Sequence, residues 1–208
     1  MDVKHHYIQF VFSLIRGLLD ERTIQLSDKM DDGRINSIHD EDIIANYLVE
    51  KLRHMIKKGK SRELGDIWID MRMYGCEDFP VNIKCINEKP GQRNNLVGLP
   101  RFIGYTFDDK SCKTKVGVAK SLKVVASDKV LNKYGLIFVS KDSVKSWVGT
   151  LDEVPDSSIH INPSNDFQLS WPCSRVSRTN EEYREMLTCK LYELFKKWSE
   201  PLKVFESL

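Results

Sequence analysis

The chain lacks most of the signatures from which a reaction class can be read directly. Its 208 residues contain no apolar run approaching the roughly 18 residues of a membrane-spanning helix, so no membrane partner is expected. Neither a G-x-x-x-x-G-K-[ST] loop nor a G-x-G-x-x-G turn is present, which argues against nucleotide-driven work. His5, His6, His39, His54 and His160 are not spaced as H-x-x-x-H, and no Ser or Cys sits in G-x-S-x-G. Cysteine is sparse and unpatterned: Cys76, Cys85, Cys112, Cys173 and Cys189 are odd in number and form no C-x-x-C pair. They read as reduced thiols, and zinc is not expected. The start Met-Asp-Val-Lys-His-His has no apolar targeting core, so an intracellular location is expected. Net charge is also low, at +2, too little for an indiscriminate coat on nucleic acid.

What is present describes an ordinary globular protein, with 41% hydrophobic and 30% charged residues. No repeat, low-complexity tract or clean linker appears, so one domain is expected over residues 1–208, with an N-terminal helix and loop (1–36) preceding the core (37–208). Val3, Tyr7, Phe10, Val11, Leu14 and Leu18 predict a first helix, suited to packing or dimerisation. The Asp- and Gly-containing stretch Ser27–Ser37 reads as a loop. A second helix is predicted from an Asp40 N-cap to Lys58, burying Ile43, Ile44, Tyr47, Leu48, Leu52 and Met55, with His54 near its buried stripe. Arg101–Phe107 and Tyr134–Ser140 read as strands, the latter apolar enough to be central. Nine lysines between Lys110 and Lys145 face only Asp128 and Asp142; they form either a source of phosphate contacts or a solvated face.

Two short runs carry chemistry. In Gly65-Asp66-Ile67-Trp68-Ile69-Asp70-Met71, strand alternation puts Asp66, Trp68 and Asp70 on one face and Ile67, Ile69 and Met71 on the other. In Phe79-Pro80-Val81-Asn82-Ile83-Lys84-Cys85-Ile86, Asn82 and Lys84 share a face opposite Val81, Ile83 and Cys85. An antiparallel hairpin through Tyr74–Asp78 lets Asp66 meet Asn82 and Lys84 across the ladder. A carboxylate, a cation and a backbone carbonyl between them are the parts that phosphodiester hydrolysis needs: oxygen ligands for Mg²⁺ and a positive group beside the phosphate.

Asp66 followed by Asn82-Ile83-Lys84 resembles the PD-(D/E)xK motif of type II restriction endonucleases. Gly65 stands where that motif has proline, a change expected to matter little, and Asn82 stands where it has an acid. An amide keeps an oxygen acceptor but loses the charge. Asp70, Glu77 and Asp78 are the nearby carboxylates that could substitute. Asn82 thus allows a natural variant with a migrated ligand, an inactive relative, or an engineered inactive form. The resemblance implies an α/β fold, a mixed central sheet flanked by helices with a restriction endonuclease-like core. It further implies a Mg²⁺ cofactor held by Asp66, Asn82 and the Ile83 carbonyl, and Lys84 as the group that orients water. A glutamate from the preceding helix is also implied, with Glu41 favoured over Glu50. A homodimer acting on a palindromic site in double-stranded DNA, 5′-phosphate ends and a bacterial or archaeal cytoplasm complete the expectation.

The C-terminal third is similar to the tail of several such enzymes, with Asn162-Pro163-Ser164-Asn165, a short strand containing Gln168, and Arg178-Thr179 opening a last helix. Thr179 and Glu182 predict a capping box, and Tyr183, Met186, Leu187, Leu191, Leu194, Phe195 and Trp198 an apolar stripe. Amides and arginines suited to bases or phosphates occur at Gln92, Arg93, Asn94, Asn95, Asn165, Gln168, Arg175 and Arg178. A junction-resolving or repair nuclease of the same fold, and a DNA-binding relative without catalysis, are the alternatives.

Overall fold

The computed structural model describes residues 3–24, 26, 33–60, 63–88, 91–96, 98–114, 116–118, 120, 130–161 and 167–206. The chain forms two compact units, Met1–Gln92 with Tyr134–Leu151, and Arg93–Lys133 with Asp152–Leu208.

The first unit is a five-stranded mixed sheet flanked by helices. Its strands are β1 (Ile56–Lys58), β2 (Ile67–Ile69), β3 (Phe79–Ile86), β5 (Gly135–Ser140) and β6 (Ser146–Thr150), in that spatial order. β1, β2 and β3 form an antiparallel meander, β5 runs parallel to β3, and β6 returns antiparallel. Helix α1 (Val3–Asp20) packs on β6, and α2 (Gly33–Lys51) packs on β1 and β3. Val81, Ile83 and Cys85 of β3 join Ile137 and Val139 of β5 and Ile15, Ile44 and Leu48 of the helices in one apolar cluster. That is the face predicted for them, and both predicted strands of the hairpin pair in the predicted antiparallel sense. The parallel β3–β5 pair needs the long connection between them, and it makes β3 a central strand buried along its whole length.

Three local expectations change. The buried stripe of α1 is Val11, Phe12, Ile15 and Leu19, whereas Val3 and Phe10 are exposed, so the packed face is rotated from the one predicted. Helix α2 begins at Gly33, inside the stretch read as a loop (27–32 lie outside the described residues), and ends at Lys51. Asp40 is therefore an internal, fully buried residue paired with Lys141, not an N-cap. The chain leaves the helix because Ile56 buries itself opposite Ile69 in β1, which converts the basic helix end into an edge strand; His54 sits exposed in the turn between.

Arg22, just after α1, is buried and donates to the carbonyls of Leu19 (2.8 Å), Ser140 (3.0 Å), Ser143 (2.7 Å) and Val144 (2.6 Å). Four charge-assisted bonds satisfy a guanidinium that would be costly to bury alone. They pin the β5–β6 turn. From the opposite flank, Glu88 accepts from Ser140 Oγ (2.8 Å), Ser143 Oγ (2.6 Å) and Lys145 Nζ (2.8 Å).

The second unit contains a three-stranded antiparallel sheet, β4 (Asn94–Asn95), β8 (Phe167–Leu169) and β7 (Ile159–Ile161), with helices α3 (Leu99–Thr106) and α4 (Asn180–Glu206). Arg101–Phe107, predicted as a strand, is helical through Thr106, with Phe107 as the C-cap. Pro100 lies in the first turn, and Leu99, Phe102, Ile103 and Thr106 recur at i, i+3, i+4 and i+7 on a buried face. Phe102 packs on Phe167 with ring centroids 6.2 Å apart. The predicted capping box is present: Thr179 N–H donates to Glu182 Oε2 (2.7 Å), and Glu182 N–H donates to Thr179 Oγ1 (3.2 Å). Tyr183, Met186, Leu187, Leu191 and Leu194 are buried as predicted; the side chain of Trp198 lies outside the described residues. No helix among the described residues is long and apolar enough to cross a membrane.

Candidate active site

Asp66 stands at the open end of the β2–β3 ladder. Its N–H donates to the Val81 carbonyl (3.0 Å) and its carbonyl accepts from Gly59 (2.8 Å), which ties it into the meander. Ladder geometry then turns its side chain across to β3. Asp66 Oδ2 accepts from Asn82 Nδ2 (2.8 Å) and from the Ile83 N–H (2.6 Å). Lys84, two residues on, presents its ammonium to Glu41 Oε1 of α2 at 3.2 Å. Asp66, Asn82, Lys84 and Glu41 thus come together from three elements. Ile83 is there through its backbone, whose carbonyl leaves β3 on the same edge as its N–H.

The environment is dry for so many polar groups. Asn82 and Lys84 are 6% and 7% exposed. Burial pushes the Asp66 carboxyl above its ordinary pKa, against the opposing pull of the Lys84 ammonium and the Ile83 N–H; Asp42 adds a smaller upward push. The Oδ1 of Asn82 is buried without a hydrogen-bond partner among the described residues. An amide oxygen left bare beside a carboxylate can ligate a cation or accept a hydrogen bond from water. Two close backbone approaches build this corner. A Cβ on Gly59 would fall 2.1 Å from the Gly65 carbonyl oxygen, and one on Gly65 would fall 2.8 Å from the Ile67 oxygen and 2.9 Å from the Val81 nitrogen. The expectation that glycine in place of proline matters little at position 65 is therefore corrected: no residue with a Cβ fits there unshifted.

A cavity of about 540 Å³ opens beside Asp66, lined by Glu41, Asp42 and Ala45 of α2 and by Lys58, Gly59 and Glu63 among others. Lys58 is held by Asp42 (2.6 Å) and Asn46 (2.8 Å), and Glu63 accepts from Trp68 Nε1 (3.1 Å) and the Lys60 N–H (3.0 Å). Asp42, Lys58 and Glu63 were not foreseen as neighbours of the site. The only available signal was the adjacency of Asp42 to Glu41 in an acidic run.

The carboxylates considered as replacements for an acid at position 82 lie elsewhere. Register puts Ile67 opposite Val81 and Ile69 opposite Phe79, so Asp70 and Asp78 belong to the far end of the hairpin. There Asp70 is bound by Arg72, and Asp78 by Lys57 and the Met71 N–H (3.1 Å), while Glu77 is exposed. Among the described residues, no three acidic, histidine or cysteine side chains group closely enough to hold a metal by themselves. A cation at Asp66 would be held by one carboxylate, the Asn82 and Ile83 carbonyl oxygens and water, all hard oxygen donors of the kind Mg²⁺ accepts.

The residues expected to meet DNA fall in different settings. Arg93, Asn94, Asn95 and Gln168 gather at the small sheet, where Gln168 Nε2 donates to Asn95 Oδ1 (2.9 Å). Gln92 Oε1 accepts from the Asn87 N–H (3.1 Å). Arg175 pairs with Glu153 (3.0 Å), and Arg178 donates to the Asp152 and Val154 carbonyls (2.7 and 2.8 Å), so Arg178 is built into the fold. Asn165 and the Asn162–Pro163 turn lie outside the described residues, as do Lys115, Lys123 and Lys129 of the lysine-rich segment. No family model matches the chain, and no curated protein matches it.

Proposed function

We propose that this chain is a Mg²⁺-dependent endonuclease that hydrolyses double-stranded DNA at a short palindromic site, as type II restriction enzymes do, working as a homodimer. The observation that carries this reading is the convergence of Asp66, Asn82 and Lys84 across β2 and β3, with Glu41 of α2 on the Lys84 ammonium. A meander continued by a parallel central strand is compatible with a restriction endonuclease-like core. Asp66, Asn82 Oδ1 and the Ile83 carbonyl would hold Mg²⁺, which when bound would supply charge stabilisation at the phosphoryl oxygens. Lys84 orients the attacking water and offsets negative charge growing on the phosphate, and Glu41 fixes where that ammonium points. Asp66 is kept in place by its two donors, so its geometry is preset before substrate arrives. Water adds to phosphorus and loses a proton to solvent; the bond to the 3′ oxygen breaks, and that oxygen takes up a proton, leaving a 5′-phosphate end.

A second reading has its own support. With an amide at 82 donating to Asp66, the site carries one negative charge fewer than the motif it resembles, which suits a DNA-binding protein that does not cut. Incubating the protein and its Asn82→Asp variant with phage DNA, with and without Mg²⁺, separates the two. Discrete Mg²⁺-dependent fragments from the unaltered protein are expected. Fragments from the Asp variant alone would mark a disabled nuclease, and none from either would favour the binding protein. A smear or nicks without discrete bands would favour the junction-resolving or repair alternative.

A further inference from the structure

The small sheet carries an arrangement that the active site does not use. Register puts Asn95, Gln168 and His160 directly opposite one another in β4, β8 and β7, so their side chains form one row on one face. Gln168 bonds to Asn95, and Ser170, two residues beyond Gln168, meets His160 Nε2 at 3.0 Å. Ile159, Phe167 and Leu169 on the opposite face are buried and already join this sheet to its core. Folding therefore needs the apolar face only. It does not require an amide, an amide and an imidazole aligned on the other.

Three features fit this row to base edges. Its groups are neutral and carry both donors and acceptors, and the bond to Asn95 uses one of the four hydrogen-bonding positions of the Gln168 amide. Strands lie about 4.8 Å apart, so three of them span about 10 Å, or roughly three base-pair steps, within a major groove about 12 Å wide. The flanks are cationic: Arg93 and Lys190 lie close enough to His160 to help burial hold its pKa below the ordinary value, which keeps the imidazole uncharged near neutral pH. Cations beside a neutral polar row match a surface that touches phosphates at its rim and bases at its centre.

We infer that the Asn95–Gln168–His160 row is a base-reading surface of this protein, directed at the major groove of duplex DNA, with Gln168 as its central specificity-determining residue and His160 as a member not apparent from sequence. The inference rests on the endonuclease reading for its ligand. It adds which residues set the site.

The test is selection from a randomised duplex DNA pool by the full-length protein with Ca²⁺ in place of Mg²⁺, followed by sequencing of bound DNA. Gln168→Ala, Asn95→Ala and His160→Ala are carried through the same selection, and Mg²⁺-dependent cleavage of phage DNA by each is run in parallel. The unaltered protein should enrich one motif. Gln168→Ala should lose preference at defined motif positions by about tenfold or more, with little change in affinity for unrelated duplex. An unchanged motif in both the Gln168 and Asn95 variants would overturn the base-reading surface while discrete cleavage left the endonuclease reading standing. Absence of an enriched motif together with absence of cleavage would overturn both. Asn95 is exposed, so its variant keeps the test decisive should Gln168→Ala fold poorly.

Discussion

Asp66 and Asp70 project from the same face at the two ends of one short strand, and their surroundings are opposite. Asp70 has everything a carboxylate wants: Arg72 contributes its guanidinium and backbone N–H, which hold the carboxyl well below its ordinary pKa. Asp66 is half-buried, and that burial raises its carboxyl above the ordinary pKa. The far end of the hairpin is built to be stable. The near end carries charge at a cost to stability, which is what a site poised for a cation needs.

Replacing either Lys84 or Asp66 by alanine should break the contrast most visibly. Plasmid cleavage should fall by about a thousandfold, with DNA binding retained, whereas Asp70→Ala should leave the cleavage rate unchanged. Retained cleavage in the Lys84 or Asp66 variant would remove the active-site assignment. Next in size, Gly59→Ala forces backbone apart at the Asp66 end and should cost about 1–3 kcal/mol in chemical denaturation. Asp66→Asn should do the reverse, removing a disfavoured charge while keeping an acceptor for the Ile83 N–H. A rise in Tm of about 2–4 °C is expected, the shift that roughly 1 kcal/mol produces in a chain of this size.

The sign of the pH dependence sharpens the comparison. Native Asp66 binds its proton more tightly than the unfolded chain does, so stability is lost as pH rises through that window, and the advantage of Asp66→Asn should grow with it. Asp70 works the other way: its contribution is present above the ordinary 3.8 and is lost as pH falls. Glu88, whose three donors bring its carboxyl down to about 2, should likewise lose its contribution between about 4.5 and about 2. Glu88→Gln should flatten the acid limb of a Tm-against-pH curve slightly, the smallest of these effects.

The convergence of Asp66, Asn82 and Lys84 was legible because it is local. Period-two alternation in 66–71 and 81–86 places each side chain on its face, and the hairpin needs one short connection to bring the faces together. The second helix was misread at both ends for the opposite reason. Its start at Gly33 lies in a polar stretch with no apolar period, and its end at Lys51 is decided by Ile56 pairing with Ile69, a partner thirteen residues away. Arg101–Phe107 looked like a strand because it is short and apolar; only the i, i+3, i+4, i+7 burial across Leu99–Thr106 reveals the helix. At the small sheet Asn95 and Gln168 could be named as amides suited to bases, but their alignment in one row with His160 could not be read. It depends on Asn95 finding Gln168 across 73 residues, and His160 had been weighed only for metal spacing.

Arg22 has a consequence for the order in which the molecule can be made. Its bonds to Ser140, Ser143 and Val144 span 118 to 122 residues. The central pair β3–β5 likewise waits for Gly135–Ser140, after a whole excursion into the other unit. During synthesis the first ninety or so residues must therefore emerge with β3 lacking one neighbour and Arg22 lacking its turn. Closure of the first unit comes only when about residue 150 has left the ribosome, and until then the chain carries an open apolar strand edge of the kind that chaperones bind.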